Sequence, residues 1–230
     1  MIDTPFFKFP TTPHIIFTSS NMARADKLLD TKEKGILLSN AVTIEEKIDG
    51  ANLGISFGKS GDLLLQNRGQ YLLPPFTGQW RMLSNWVTAH QEKLFDVLED
   101  RYILFGEWCY ATHSIYYSKL PDWFIGFDVY DTISQKFLAV PLRDKFLKSA
   151  EIATVPKIKY GTFMRDDLPG LLGKSAFGDG PCEGLYFRYD VGNWLKIRAK
   201  YVRPTFVQSI NKHWRNAPMQ KNQIVYQAYN

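Results

Sequence analysis

Glu45-Glu46-Lys47-Ile48-Asp49-Gly50-Ala51-Asn52 is the stretch whose reading decides the rest of this chain. It lies within a β-like run from Ile44 to Phe57 and sets a lysine between acidic residues at a strand–turn junction. Gly50 falls where the backbone must bend or approach a ligand closely. A lysine used as a nucleophile must first lose its proton. With an ordinary pKa of about 10.4, only roughly a thousandth of the amine is neutral near pH 7.5. Desolvation or neighbouring cations therefore have to lower that value. In isolation, Lys-x-Asp-Gly reads better as a surface lysine on a turn, so its companions decide.

Working outward, Gly58-Lys59-Ser60-Gly61 marks a turn and Leu63-Leu64-Leu65 a further strand. Trp80, Leu83, Val87, Leu94 and Leu98 fall near a 3.6-residue period, which predicts an amphipathic helix and makes Trp80 and Trp86 core residues. Strands are predicted at 102–108, 123–130, 184–189 and 194–197, the last two joined by a hairpin turn at Asp190-Val191-Gly192-Asn193. Residues 1–18 read as a loop or edge strand. Ser19, Ser20 and Asn21 offer N-caps for a short helix ending near Leu28. Pro204, with Phe206, Ile210 and Trp214 behind it, starts a last helix. Strands interleaved with helices and joined by hairpins make an α+β domain with largely antiparallel sheets.

Five further segments carry chemistry-bearing residues. Arg68 sits in Gln66-Asn67-Arg68-Gly69, and Glu107 in Leu104-Phe105-Gly106-Glu107-Trp108. Phe127-Asp128 ends an apolar run, and Glu183 opens Glu183-Gly184-Leu185-Tyr186-Phe187-Arg188. Lys196, Arg198 and Lys200 alternate along a strand, which turns all three cations to one face. With the Lys47 stretch these are six segments in order, and together they resemble the motifs of the covalent nucleotidyltransferases: DNA ligases, RNA ligases and mRNA-capping enzymes. The resemblance covers about residues 40 to 203. Lys47-Ile48-Asp49-Gly50-Ala51-Asn52, Phe105-Gly106-Glu107 and Phe127-Asp128 are most similar to the nick-sealing RNA ligases.

The resemblance implies an adenylyltransferase domain with its active site in the cleft between sheets. It implies ATP and Mg2+ as cofactors, with Mn2+ as a substitute, and RNA as the partner, presented as a nicked duplex or as single-stranded ends. Lys47 would take AMP from ATP, pass it to an RNA 5′-phosphate, and a 3′-hydroxyl would displace it to close the strand. Lys196 would grip the α-phosphate and help keep Lys47 deprotonated. Glu107 would accept a ribose hydrogen bond, Phe127 would stack on adenine, and Glu183 would bind or orient the metal. Glu46, Asn52 and Arg68 join the nucleotide-binding set, Asn52 and Arg68 at the ribose or the incoming 5′-phosphate. The family repeats a lysine two residues after the first, where this chain has Arg198. Arginine keeps the charge but differs in shape, and Lys200 substitutes for it if the register shifts.

A formal charge of +5 and a pI near 9.0 favour a polyanionic partner. Two cysteines, Cys109 and Cys182, without a CxxC pair, argue against zinc sites and disulfide frameworks, and suit a reducing cytoplasm. No stretch has the apolar length of a membrane span. The expected organisation is one domain over 1–230 with a short helical tail at 204–230, where Lys212, Arg215 and Lys221 form a solvated face, and no OB-fold. That shortness disfavours capping and conventional DNA ligation. Adenylylation of another acceptor and a non-catalytic RNA-binding module are the competing functions. Lys47, Glu107, Glu183 and Lys196 together weigh against the second.

Overall fold

The computed structural model describes residues 5–16, 28–204, 206 and 219–225. The caps at Ser19–Asn21, the helical face at Ile210 and Trp214, and the tail cations Lys212 and Arg215 lie outside them. Helix α1 (Thr31–Ser39) leads into β1 (Val42–Lys47) and β2 (Ala51–Phe57), followed by β3 (Leu63–Gln66) and α2 (Leu83–Leu98). Then come β4 (Tyr102–Trp108), β5 (Phe124–Asp131), β6 (Lys136–Phe137), α3 (Val140–Ser149), β7 (Lys157–Gly161), α4 (Leu168–Leu171), β8 (Gly184–Val191) and β9 (Trp194–Val202).

The strands form two antiparallel sheets, ordered β7-β1-β8-β9 and β3-β2-β4-β5-β6. The α+β expectation is met. What looked like one β run from Ile44 to Phe57 is two strands in different sheets. The chain crosses from one sheet to the other over Ile48-Asp49-Gly50, directly after Lys47. The crossing is pinned: the Asp49 carboxylate accepts the backbone N–H groups of Ser114 and Ile115, and the Asp49 N–H donates to the Tyr117 hydroxyl at 2.8 Å.

Each sheet buries its outer face under helices, as alternating side chains dictate. Leu83, Trp86, Val87, Leu94 and Leu98 of α2 pack with Leu53, Ile55, Leu104 and Val129 of the five-stranded sheet. Leu37 of α1, with Phe163 and Leu168, covers Ile44, Leu185, Phe187 and Ala199 of the other. The hairpin turn was placed correctly: Val191 pairs with Trp194, and Gly192 takes a positive φ that a side chain would resist. Of the amino-terminal stretch, Phe7 and Phe9 pack on Phe105 and Phe137, and Ile15 hydrogen-bonds to β9 at Lys200. No helix among the described residues is long and apolar enough to cross a membrane.

Between the sheets lies a buried ionic network. Arg143 of α3 grips both oxygens of Glu45 at 2.5 and 3.0 Å, and also donates to the Phe127 carbonyl. Arg188 pairs with Asp128 and shares the Phe127 carbonyl, and Arg198 reaches the other Asp128 oxygen at 3.0 Å. Glu45, Asp128, Arg143 and Arg188 are almost inaccessible to solvent. Removing one partner strands a buried charge, so Arg143→Ala is expected to cost about 3–5 kcal/mol of stability, read by denaturant unfolding.

Candidate active site

The cavity built around Lys47 draws on both sheets. Its walls are Glu45, Glu46, Lys47 and Ile48 from β1 and the crossing, Glu107 of β4, Phe127 of β5, Tyr186 of β8 and Lys200 of β9, with Phe9, Thr12, Arg68 and Val155. The strand register explains the assembly. Lys47 lies opposite Gly184, which brings Glu183 alongside, and the two side chains form an ion pair at 2.6 Å. Two glycines make the close packing possible. A side-chain carbon at Gly184 would overlap the Tyr201 carbonyl, and one at Gly106 would run into the Phe124 ring.

Burial sets the electrostatics. It pushes the Glu107 carboxyl up to about 8 and the Glu183 carboxyl up to about 7, against the downward pull of Lys47. Glu46 is also raised, again by burial, although the Ala176 N–H donates to one of its oxygens. On Lys47 burial is the largest influence and acts downward, but the carboxylates of Glu183, Glu107 and Asp49 outweigh it and the net shift is upward. The amine is thus held protonated by its partner, the reverse of what nucleophilic attack needs.

A second hollow, of about 390 Å³, adjoins the first through shared lining residues. Lys47, Arg68 and Glu107 line both; Gly50, Ala51, Asn52, Asn67, Gln79 and Trp80 complete the second. Neither side-chain atom of Asn52, nor Glu107 Oε2, has a hydrogen-bond partner among the described residues, although all three are buried. Such groups are costly unless a ligand or water satisfies them. For a hard divalent cation the donor chemistry fits. Glu183 and Glu107 offer carboxylate oxygens, and magnesium commonly takes one or two carboxylates with phosphate oxygens and water supplying the rest. The described residues hold no cluster of three or more His, Cys, Asp or Glu side chains placed to hold a metal ion.

Seven of the candidates named from sequence therefore converge: Glu46, Lys47, Asn52, Arg68, Glu107, Phe127 and Glu183. Two do not. Lys196 is exposed, and its charge acts on Glu33 of α1. It lies six positions along β9 from Val202, which pairs with Gly184 opposite Lys47, about 20 Å away at 3.3 Å per residue. A bulge between Ile197 and Leu195 also interrupts the alternation there. Lys200, about 7 Å along the strand by the same rise, lines the cavity instead. Arg198 is taken up by Asp128 and lies over the Phe137 ring at 3.9 Å, beneath the site rather than in it. Tyr186, Phe9, Thr12 and Val155 were missed. For Tyr186 a signal existed, since Leu185 and Phe187 mark the buried face of β8 and leave Tyr186 on the other. Cys109 and Cys182 are buried as expected, and His113 contacts Gln79 at 2.8 Å.

Comparison with known proteins gives a family and a fold. Residues 40–202 match the family model described as RNA ligase. Among solved structures, a lysine-to-alanine variant of Naegleria gruberi RNA ligase with ATP and Mn superposes with a TM-score of 0.62 at 15% identity, covering 90% of this chain and 60% of that one. Another variant of that enzyme, with AMP and Mn, gives 0.61 at 15% identity over 88% and 57%. An apo variant gives 0.58 at 16% identity over 78% and 54%. The chain thus spans between half and two-thirds of those proteins' length. Comparison with curated proteins gives no match.

The raised carboxyls predict a pH signature. The folded state holds the Glu107 and Glu183 protons more tightly than the unfolded chain, where glutamate ionises near about 4.3. Stability from this source is fully present below that pH and is lost as pH rises to about 8 for Glu107. Without nucleotide or divalent cation, Glu107→Gln is expected to flatten the decline. Its Tm should equal the wild-type value below the unfolded-chain pKa of about 4.3 and exceed it by a margin that grows until the pH reaches about 8.

Proposed function

The chain belongs to the RNA ligase family, and on that premise we propose that it is an ATP-dependent RNA ligase that carries AMP on Lys47. The observation behind this reading is Lys47 itself, at the end of β1 and at the meeting point of two hollows, flanked by Glu183, Glu107, Arg68 and Lys200. The Naegleria structures with ATP or AMP and Mn agree in fold with such a role.

In the proposed first step the neutral Lys47 amine attacks the α-phosphorus of ATP. The N–P bond forms as the bond to the bridging oxygen breaks, pyrophosphate leaves with the electron pair, and the amine gives up a proton. An RNA 5′-phosphate oxygen then attacks the same phosphorus, and Lys47 departs and regains a proton. A 3′-hydroxyl finally attacks the RNA phosphorus and gives up its proton, and AMP leaves with the electron pair of the broken P–O bond. Charge compensation matters more here than acid–base work. Lys200 and Arg68 supply it at the phosphates, Phe127 and Tyr186 flank the adenine, and Glu107 accepts from the ribose. A divalent cation held by Glu183 would neutralise phosphate charge. Glu183 so engaged no longer stabilises the Lys47 ammonium. Burial, the largest influence on the amine, then meets less opposition, and the balance moves towards the neutral form.

The test is label transfer from α-labelled ATP to the protein, then joining of RNA and, separately, DNA ends. Lys47→Ala should abolish both. Lys200→Ala should lower lysyl–AMP formation about 100-fold, as loss of one transition-state charge contact does, whereas Lys196→Ala should stay close to wild type. Uptake of label by Lys47→Ala, or joining of DNA in preference to RNA, would overturn the reading.

A further inference from the structure

The final intermediate of the proposed reaction is a dinucleoside: adenosine and the first RNA nucleoside joined 5′ to 5′ through a diphosphate. The site has two hollows that share Lys47, Arg68 and Glu107 at their junction. The first, with Phe9, Phe127 and Tyr186, suits adenosine. The second differs in chemistry, and its lining indicates its occupant.

Trp80 closes one side of it. This residue ends a single 3-10 turn (Gly78–Trp80) rather than belonging to α2, which corrects the expectation of a helical tryptophan, although it does pack against the core. It is only half-buried, and its inner side is backed by Trp108, whose ring lies 6.5 Å away at 21°. Trp108 is fully buried and donates from Nε1 to the Gln79 carbonyl at 2.7 Å, so the turn carrying Trp80 is braced from below. Three amides complete the hollow. The Gln79 oxygen meets His113, and the Asn67 oxygen accepts the N–H groups of Gly69 and Gln70, which fixes both. Both polar atoms of the Asn52 amide are buried without a partner among the described residues.

A pyrophosphate needs cations around it. Here the only lining cations, Lys47 and Arg68, are those shared with the first hollow, and the residues it does not share present an indole and amides. An aromatic plane for a base, amides for sugar hydroxyls and a cationic rim for a phosphate are the features of a nucleotide site. At about 390 Å³ the hollow lies within the usual size of small-ligand sites. Resting on the ligase reading, we propose that this hollow holds the 5′-terminal nucleotide of the RNA, with its base stacked on Trp80. Stacking of this kind tolerates any base, so the contact selects for an ordered terminal nucleotide and not for a sequence.

The experiment is single-turnover transfer of AMP from pre-formed lysyl–AMP enzyme to 5′-phosphorylated RNA whose terminal nucleotide is either intact or abasic. Trp80→Leu keeps apolar volume against Trp108 and removes the aromatic face; Trp80→Phe restores a face. Wild type should lose about 5-fold or more with the abasic end, the equivalent of one base stack. Trp80→Leu should transfer slowly to the intact end by the same factor and show no further loss with the abasic one. Trp80→Phe should recover most of the rate and of the sensitivity. A Trp80→Leu enzyme that still discriminates against the abasic end would overturn the subsite alone. So would a defect confined to the sealing of pre-adenylylated ends, which would assign the hollow to the 3′-terminal strand, or a loss of label uptake in Trp80→Phe, which would assign it to ATP. Absence of label on wild type would overturn the ligase reading and the subsite together.

Discussion

The contact between Arg143 and Glu45 holds this structure's two halves in one geometry. Glu45 belongs to one sheet, Asp128 to the other, and Arg143, Arg188 and Arg198 tie them together through a nearly dry seam. Two of the arginines also donate to the Phe127 carbonyl, so the seam fixes the strand segment that lines the cavity. Buried ion pairs are weak contributors to net stability. What this one supplies is position: Glu45 and Lys47 are two residues apart on β1, so the strand face that enters the seam also delivers the lysine to the cavity.

From that position follows the electrostatic state of the site. Lys47 leaves the first sheet at the point where the chain crosses to the second, and it meets carboxylates from β4 and from the start of β8. Burial raises both glutamates into the neutral range, and their charge in turn keeps the lysine protonated. The arrangement is a mutual restraint. On the proposed reading, a cation at Glu183 would weaken the hold on the amine, and its arrival with nucleotide would be coupled to activation of Lys47 through the same contact.

Much of this was legible in the sequence, and the exceptions have physical causes. The β8–β9 hairpin, β4, β5 and the buried face of α2 were visible because alternation or a 3.6-residue period reports directly on burial. Helix α1 was not: its charged half precedes its apolar half, so no face stands out, and its visible signal is the cap at Asp30. Strand β7 was missed because as an edge strand it is exposed on both faces and shows no alternation. For the site, alternation put Arg198 and Lys200 on one face, but it showed neither the bulge that takes Lys196 off that face nor how far along the strand each residue lies. Register and the bulge decide that Lys200 reaches the cavity, and the need of buried Asp128 for a second cation claims Arg198. Trp80 was misplaced because its spacing suits α2 although the helix begins three residues later.

The proposed chemistry requires that one particular amine, that of Lys47, becomes covalently adenylylated. Peptide mass spectrometry of the wild-type protein, after incubation with ATP and a divalent cation and quenching at a pH that preserves the N–P bond, tests it most directly. The added mass of one AMP is expected on the peptide carrying Lys47, with Lys196 and Lys200 unmodified. An adduct on Lys200, or an unmodified Lys47 in protein that binds ATP and cation, would contradict it.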